Sequence, residues 1–161
     1  MILLKFDTTI NGDSTVTGHD KWITIATFQF GVGRSISTSG VGKDRDTSNP
    51  SFSEIVLTKS MDVASVDLMM QAICGKSLGK ATLHWIQTGG ADVDNQVYLE
   101  IELGEAIVSG FTVGSSGDRP SESITINFNT FKMKYSTFGE GSAPVQGELK
   151  GWDLKQNKAA A

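Results

Sequence analysis

A single cysteine, Cys74, leaves this chain of 161 residues without an internal disulfide. Its fold must rest on an ordinary hydrophobic core, and it suits a reducing compartment. Only 3 prolines, against 18 glycines and a hydrophobic share of 39%, exclude a disordered or proline-rich chain and fit an all-β domain with many turns. There is no surplus of positive charge: 14 Lys and Arg stand against 18 Asp and Glu, a formal net charge of −4. Phosphate backbones and anionic lipid therefore gain little attraction, which argues against nucleic acid and membrane insertion. Long apolar runs are also missing. Ile2 to Leu4 is followed at once by Lys5 and Asp7, too short for a signal-peptide core or a membrane span. The chain is expected to be cytoplasmic when synthesised. No break in composition divides it, so residues 1–161 read as one domain.

What is present is alternation with a period of two. In Asn95 to Gly104, Val97, Leu99, Ile101 and Leu103 share one face while Tyr98, Glu100 and Glu102 share the other, as in a half-buried strand. Further strands are expected near Ile2–Asp7, Trp22–Val32, Phe52–Lys59, Lys80–Gln87, Glu105–Val113, Ser123–Tyr135 and Val145–Leu154, with Gly, Asn, Asp and Ser between them. The run Ser123–Tyr135 changes parity, from Ile124, Ile126 and Phe128 to Phe131, Met133 and Tyr135. A bulge near Asn129, or burial of both faces, would account for it.

One segment has helical spacing: Val66, Met69, Met70 and Ile73, with Ser65 placed to cap the start and Gly75 to end it. Leu68 and Ala72 lie on the other flank, leaving Asp67 and Gln71 as a narrow polar stripe. A helix that is apolar over so much of its surface is suited to touch both its own domain and a neighbouring subunit.

Reactive constellations are weak throughout. Gly75, Lys76 and Ser77 imitate the end of a phosphate loop, but Met70 stands where the first glycine belongs and the segment follows a helix instead of opening one. Gly31, Gly33, Gly40 and Gly42 miss the dinucleotide spacing. The pairs Asp92/Asp94 and Asp44/Asp46 lack the later ligands of a calcium loop. His19 and His84, the only histidines, would need further ligands to hold zinc. Cys74, near the end of an apolar helix with no base at helical spacing, reads as a small buried residue. Glu100, Glu102 and Glu105 read as a solvated strand face. No catalytic, cofactor-binding or metal site is expected. The segment Arg34 to Asn49 is longer than a connection without a function normally is, and is read as an extended loop.

Taken in order, a set of short patterns resembles the haemolysin-coregulated proteins, which form the inner tube of bacterial type VI secretion systems. The patterns are Gly12, Asp13 and Ser14 with His19 and Trp22-Ile23; Phe28, Phe30 and Gly31; Thr58-Lys59 with Asp62; Leu68-Met69-Met70; and Cys74 with Gly75-Lys76. Val108-Ser109, the run Glu122 to Phe128, and Gly151-Trp152-Asp153-Leu154-Lys155-Gln156-Asn157 complete them. The charged run Gly42-Lys43-Asp44-Arg45-Asp46 departs from the glycine-rich loop common in that family.

The resemblance implies a mainly β fold, a small β-barrel of two antiparallel sheets with one flanking α-helix. It also implies a homohexameric ring that stacks into a tube, a contractile sheath and a spike as partners, effector cargo in the lumen, and secretion without a cleaved signal peptide. Within that picture Thr27 and Gln29, which alternate with the core aromatics, are expected to face the lumen. Arg34, Lys43, Asp44, Arg45 and Asp46 are expected at ring-stacking contacts, and Leu68, Met69 and Ala72 at a subunit interface. Two alternatives share much of the pattern: a phage-type tail-tube subunit, and a barrel binding a small apolar ligand. Phe28, Phe30, Trp85, Phe111, Phe128 and Phe131 would fill much of the interior that such a ligand needs.

Overall fold

The computed structural model describes residues 1–37, 47–87, 95–138 and 144–160. Its elements follow the alternation closely at first: β1 (Ile2–Phe6), β2 (Ile23–Ile25), β3 (Thr27–Gln29), β4 (Val32–Gly33), β5 (Ser51–Phe52) and β6 (Ile55–Ser60). Then come α1 (Ser65–Cys74), β7 (Ala81–Gln87), β8 (Gln96–Gly104), β9 (Ile107–Gly114) and β10 (Ser121–Asn127). The chain continues with β11 (Thr130–Tyr135), β12 (Thr137–Phe138), β13 (Pro144–Val145), β14 (Lys150–Asp153) and β15 (Lys158–Ala160). No helix among the described residues is long and apolar enough to cross a membrane.

Two antiparallel sheets carry the fold. One has seven strands in the order β15-β14-β11-β8-β7-β1-β2, the other four in the order β3-β6-β10-β9. Their inner faces share one core, with Leu4, Ile23, Leu83, Ile101, Leu103 and Phe131 from the first and Ile55, Leu57, Val108, Ile124 and Ile126 from the second. The sheets are not closed into a single ladder. They are joined at corners instead: the chain leaves β2 and enters β3 at Ala26, whose N–H donates to the Thr58 carbonyl at 2.8 Å. The fold is thus mainly β with one helix, as expected, with a barrel-like enclosure made of two sheets.

The parity change after Phe128 is a second corner, not a bulge at Asn129. The expected strand Ser123–Tyr135 is two strands in two sheets, β10 pairing with β6 and β9, β11 pairing with β8 and β14. Ile126 and Phe131 both point into the core from opposite walls, so each half keeps its own alternation. Similarly, Trp22–Val32 is broken into β2, β3 and β4, and Val145–Leu154 into β13 and β14, where the chain changes partners.

The ends of the segment Arg34 to Asn49 are more ordered than a loop. β4 pairs with β5, and an isolated bridge joins Ile36 to Thr47. The Ser35 N–H donates to Ser48 Oγ at 3.0 Å. A β-ribbon therefore leads out of the sheet towards residues 38–46.

The helix ends as expected: Gly75 adopts the left-handed conformation at φ 63°, and its N–H donates to the Gln71 carbonyl. It does not begin as expected. Ser65 is the first helical residue, and its Oγ turns back to accept the Asp62 N–H at 2.9 Å, while Asp62 Oδ1 accepts the Ala64 N–H at 2.9 Å. An Asx-type turn at Asp62, not a cap at Ser65, starts the helix.

Candidate functional site

The outward faces of the two sheets differ in chemistry. On the four-stranded sheet, in-register outward positions are Thr27, Thr58, Ser123 and Thr112 in one row, and Gln29, Val56, Thr125 and Gly110 in the next. Alternation puts Leu57, Ile124 and Phe28 inside and these side chains outside. The two rows carry no formal charge. Thr27 and Thr58 share a hydrogen bond of 2.6 Å between hydroxyls, and Ser109 Oγ donates to the Thr125 carbonyl at 3.2 Å. Thr27 and Gln29 are exposed on this face, on edge strand β3. At the opposite edge, β9 is overlaid by α1.

The seven-stranded sheet is charged on its outer face. Glu100 pairs with Lys134 at 3.0 Å and Glu102 with Lys80 at 3.2 Å, so these carboxylates serve cross-strand ion pairs. Glu105 accepts a bond from Ser77 Oγ at 3.0 Å. In β8, Ile101 and Leu103 are buried and Glu102 between them half-buried, as the alternation predicts, while Gln96–Glu100 are all half-buried and the pairing with β7 skips Tyr98 between Leu99 and Val97.

The helix presents a large apolar surface to the outside. Val66 and Ile73 are 59% and 69% exposed, and Met69 and Met70 are also exposed. Of the three residues expected at a subunit interface, Met69 is exposed and Ala72 is half-buried. Leu68 is fully buried in the chain's own core and Ala72 packs against that core, because the helix rests on the stripe Ser65, Leu68 and Ala72. Cys74 is exposed, contrary to expectation, because it lies off that stripe at the last turn.

Arg34 is exposed on the ribbon stem. Lys43, Asp44, Arg45 and Asp46, with Gly40 and Gly42, lie outside the described residues, as do Asp92 and Asp94. Gly31 and Gly33 are exposed ribbon positions without a following helix, and Lys76 and Ser77 follow α1 into an exposed connection. The interior is filled by aromatics: Phe30 stacks on Phe131 with centroids 4.4 Å apart, Phe28 meets Trp85 at 4.9 Å, and Phe128 meets Phe131 at 6.0 Å.

Two polar clusters were not expected. Lys59 is fully buried, and its Nζ donates to Asp62 Oδ1 (2.7 Å), the Ser60 carbonyl (2.9 Å), Glu122 Oε2 (3.1 Å) and Ser65 Oγ (3.2 Å). Four acceptors share three N–H groups, and Glu122 Oε1 has no partner among the described residues. The cluster ties β6 and β10 to the start of α1. A signal for it existed, since Lys59 continues the inward alternation of Ile55 and Leu57.

The second cluster joins the two histidines: His19 Nε2 lies 2.8 Å from His84 Nδ1. Burial, the largest effect, and His19 both push the His84 pKa below its ordinary value, while Glu100 opposes them. Among the described residues no three His, Cys, Asp or Glu side chains are grouped to hold a metal ion.

Comparison with known proteins adds the context. The family described as "Type VI secretion system effector, Hcp" matches residues 3–135. A solved structure described as a type six secretion system protein is similar at 26% identity, covering 99% of this chain and 98% of that one, with a TM-score of 0.88. Hcp1 from Salmonella typhimurium is similar at 23% identity over 99% and 97% of the two chains, with a TM-score of 0.77. A type VI secretion system effector from Yersinia pestis is similar at 18% over 95% and 99%, with a TM-score of 0.68. The last two support the fold alone. No curated protein matches the sequence.

Proposed function

The chain belongs to the Hcp family of the type VI secretion system, and from that premise we propose that it is a structural subunit of the secretion tube. Six copies form a ring, and rings stack into a conduit whose lumen carries effector proteins, with a contractile sheath outside and a spike at the tip. The protein is made in the cytoplasm and leaves through the apparatus without a cleaved signal peptide. It works by shape and surface, not by turnover.

The four-stranded sheet is the observation that carries this reading. Its edges are β3 and β9, and its four strands alternate in direction. A neighbour's β3 laid along β9 continues the antiparallel order, satisfies the open backbone groups of both edges, and joins the sheets into one inner wall. Such head-to-tail contacts close into a ring. The uncharged hydroxyl and amide face, with Thr27 and Gln29, then lines the lumen, where it offers cargo weak hydrogen bonds and no electrostatic barrier. The exposed helix face of Val66, Met69, Met70 and Ile73, lying over β9, supplies apolar area at the same seam. The ribbon leading to 38–46 reaches along the tube axis, with Arg34 and the charged run 43–46 contacting the next ring.

Size exclusion coupled to light scattering, with negative-stain imaging, tests the proposal. Ring-shaped hexamers are the expected result, and a monomer at every workable concentration overturns it. Gln29→Ala should keep the ring and weaken cargo retention. If retention is unchanged, Gln29 has no role in the lumen.

A further inference from the structure

Residues 11–22 form a flap that starts beside β2 and brings His19 and Trp22 against His84 on the outer face of the seven-stranded sheet. The flap holds itself together by backbone bonds from the Gly12 N–H to the Lys21 carbonyl (2.8 Å), the Ser14 N–H to the Trp22 carbonyl (3.1 Å), and the Lys21 N–H to the Ser14 carbonyl (2.8 Å). Side-chain contact with the sheet below runs through His19, which is 8% exposed and meets His84 of β7. Trp22 packs on both rings, its centroid 4.6 Å from His19 and 4.8 Å from His84. Leu3, the cross-strand neighbour of His84 on the same outer face, is fully buried beneath this cover.

The proton inventory of the pair is restrictive. Only one hydrogen fits on the 2.8 Å line between His19 Nε2 and His84 Nδ1, so the pair accepts the neutral state or a single positive charge. A second proton puts two N–H groups head to head. The first added proton already leaves an N–H at His19 Nδ1, which is buried without a partner among the described residues. The nearby carboxylates Glu100 and Glu102 offset a charge on His84 only in part. From β8, Glu100 and Glu102 are held by Lys134 of β11 and Lys80. From β1, Lys5 adds a positive charge, 5.9 Å from the Trp22 ring centroid. The flap's own Asp20 and Lys21 are exposed to solvent.

We infer that the His19–His84 pair is an acid-sensitive clasp that holds the flap 11–22 on the outer sheet at neutral pH and releases it on acidification, while the two-sheet core stays folded. The pair and Leu3 lie on the far side of the sheet from the shared core, so the flap lifts without opening that core. Release uncovers Trp22 and Leu3 and gives the outer wall a pH-dependent apolar patch.

Amide hydrogen exchange of the whole chain, followed residue by residue at about pH 7.5 and about pH 5 and corrected for intrinsic rates, tests the inference. Protection at Gly12, Ser14 and Lys21 is expected to fall about tenfold or more at the lower pH, while Leu57 and Ile124 keep theirs. His84→Asn and His19→Gln each keep a hydrogen-bonding nitrogen near the original position and remove the titration, so each should abolish the fall. Equal flap protection at both pH values overturns the clasp, as does a fall that persists in a folded variant. Loss of protection in β6 and β10 in step with the flap also overturns it. The wild-type comparison decides alone if the variants fail to fold.

Discussion

Lys59 shows how much one residue can hold. Removing its side chain leaves Asp62 and Glu122 as buried carboxylates with no cation, a loss of about 3–5 kcal/mol for a broken buried pair. Lys59→Met should therefore lower the urea midpoint steeply, and adding Glu122→Gln should restore part of it by removing a stranded charge. His84 adds a pH dependence whose sign follows from its lowered pKa. The fold favours the neutral ring, so this contribution is complete above the ordinary value of 6.5 and is lost as pH falls through the lowered one. Urea midpoints measured from pH 7.5 down to 5 should fall more in the wild type than in His84→Asn. The alternation of Ile55 and Leu57 continues to Lys59 and so carries a signal for its burial, but it says nothing of which carboxylates meet it. The meeting of His19 and His84 is illegible for a different reason: 65 positions separate them, and only the fold of the flap brings them together.

At the scale of elements, the flap and the helix make separable predictions. A Cβ on Gly12 would lie 2.3 Å from the Trp22 carbonyl oxygen, so Gly12→Ala must push the flap off the start of β2. It should cost about 1–3 kcal/mol, as overpacking does, and expose the flap to proteolysis before the sheets are cut. On α1, Ile73→Lys changes a side chain 69% exposed, so monomer stability should stay within about 0.5 kcal/mol. Ring formation, read by light scattering, should nevertheless be lost, because a charge then stands in an apolar seam. The helix was legible to its last residue from apolar spacing and Gly75. Its resting stripe was not, because Leu68 and Ala72 on one side and Val66, Met69 and Met70 on the other are equally apolar. Likewise a bulge and a change of sheet leave the same parity shift after Phe128, and only strand pairing distinguishes them.

For the whole molecule, the contrast between a neutral four-stranded face and a charged seven-stranded face would orient the subunit in the proposed ring. If the seam is made of backbone pairing and apolar helix surface, rings should persist in about 1 M salt, where charges more than about 3 Å apart are screened. Dissociation there would mean that ion pairs hold the ring. The sequence resembles the family through short motifs spread along the chain: Ile23, Leu68, Val108, Ile124 and Ile126 lie in the core and Lys59, Asp62 and Glu122 in one buried cluster, while Met69, Met70, Cys74 and Lys76 are exposed. Those motifs report the fold, while the surfaces that would meet neighbours follow from edges and exposure. The corners have a mechanical meaning as well. At Ala26, at Glu105–Ala106 and at Phe128–Asn129 the main chain itself crosses from one sheet to the other, and Asn129 is pinned on arrival by its N–H bond to the Gly104 carbonyl at 2.9 Å. Opposed pulls on the two sheets along their strands are thus resisted by covalent bonds as well as by side-chain packing, so a thrust on the exterior would be passed to the interior without slip.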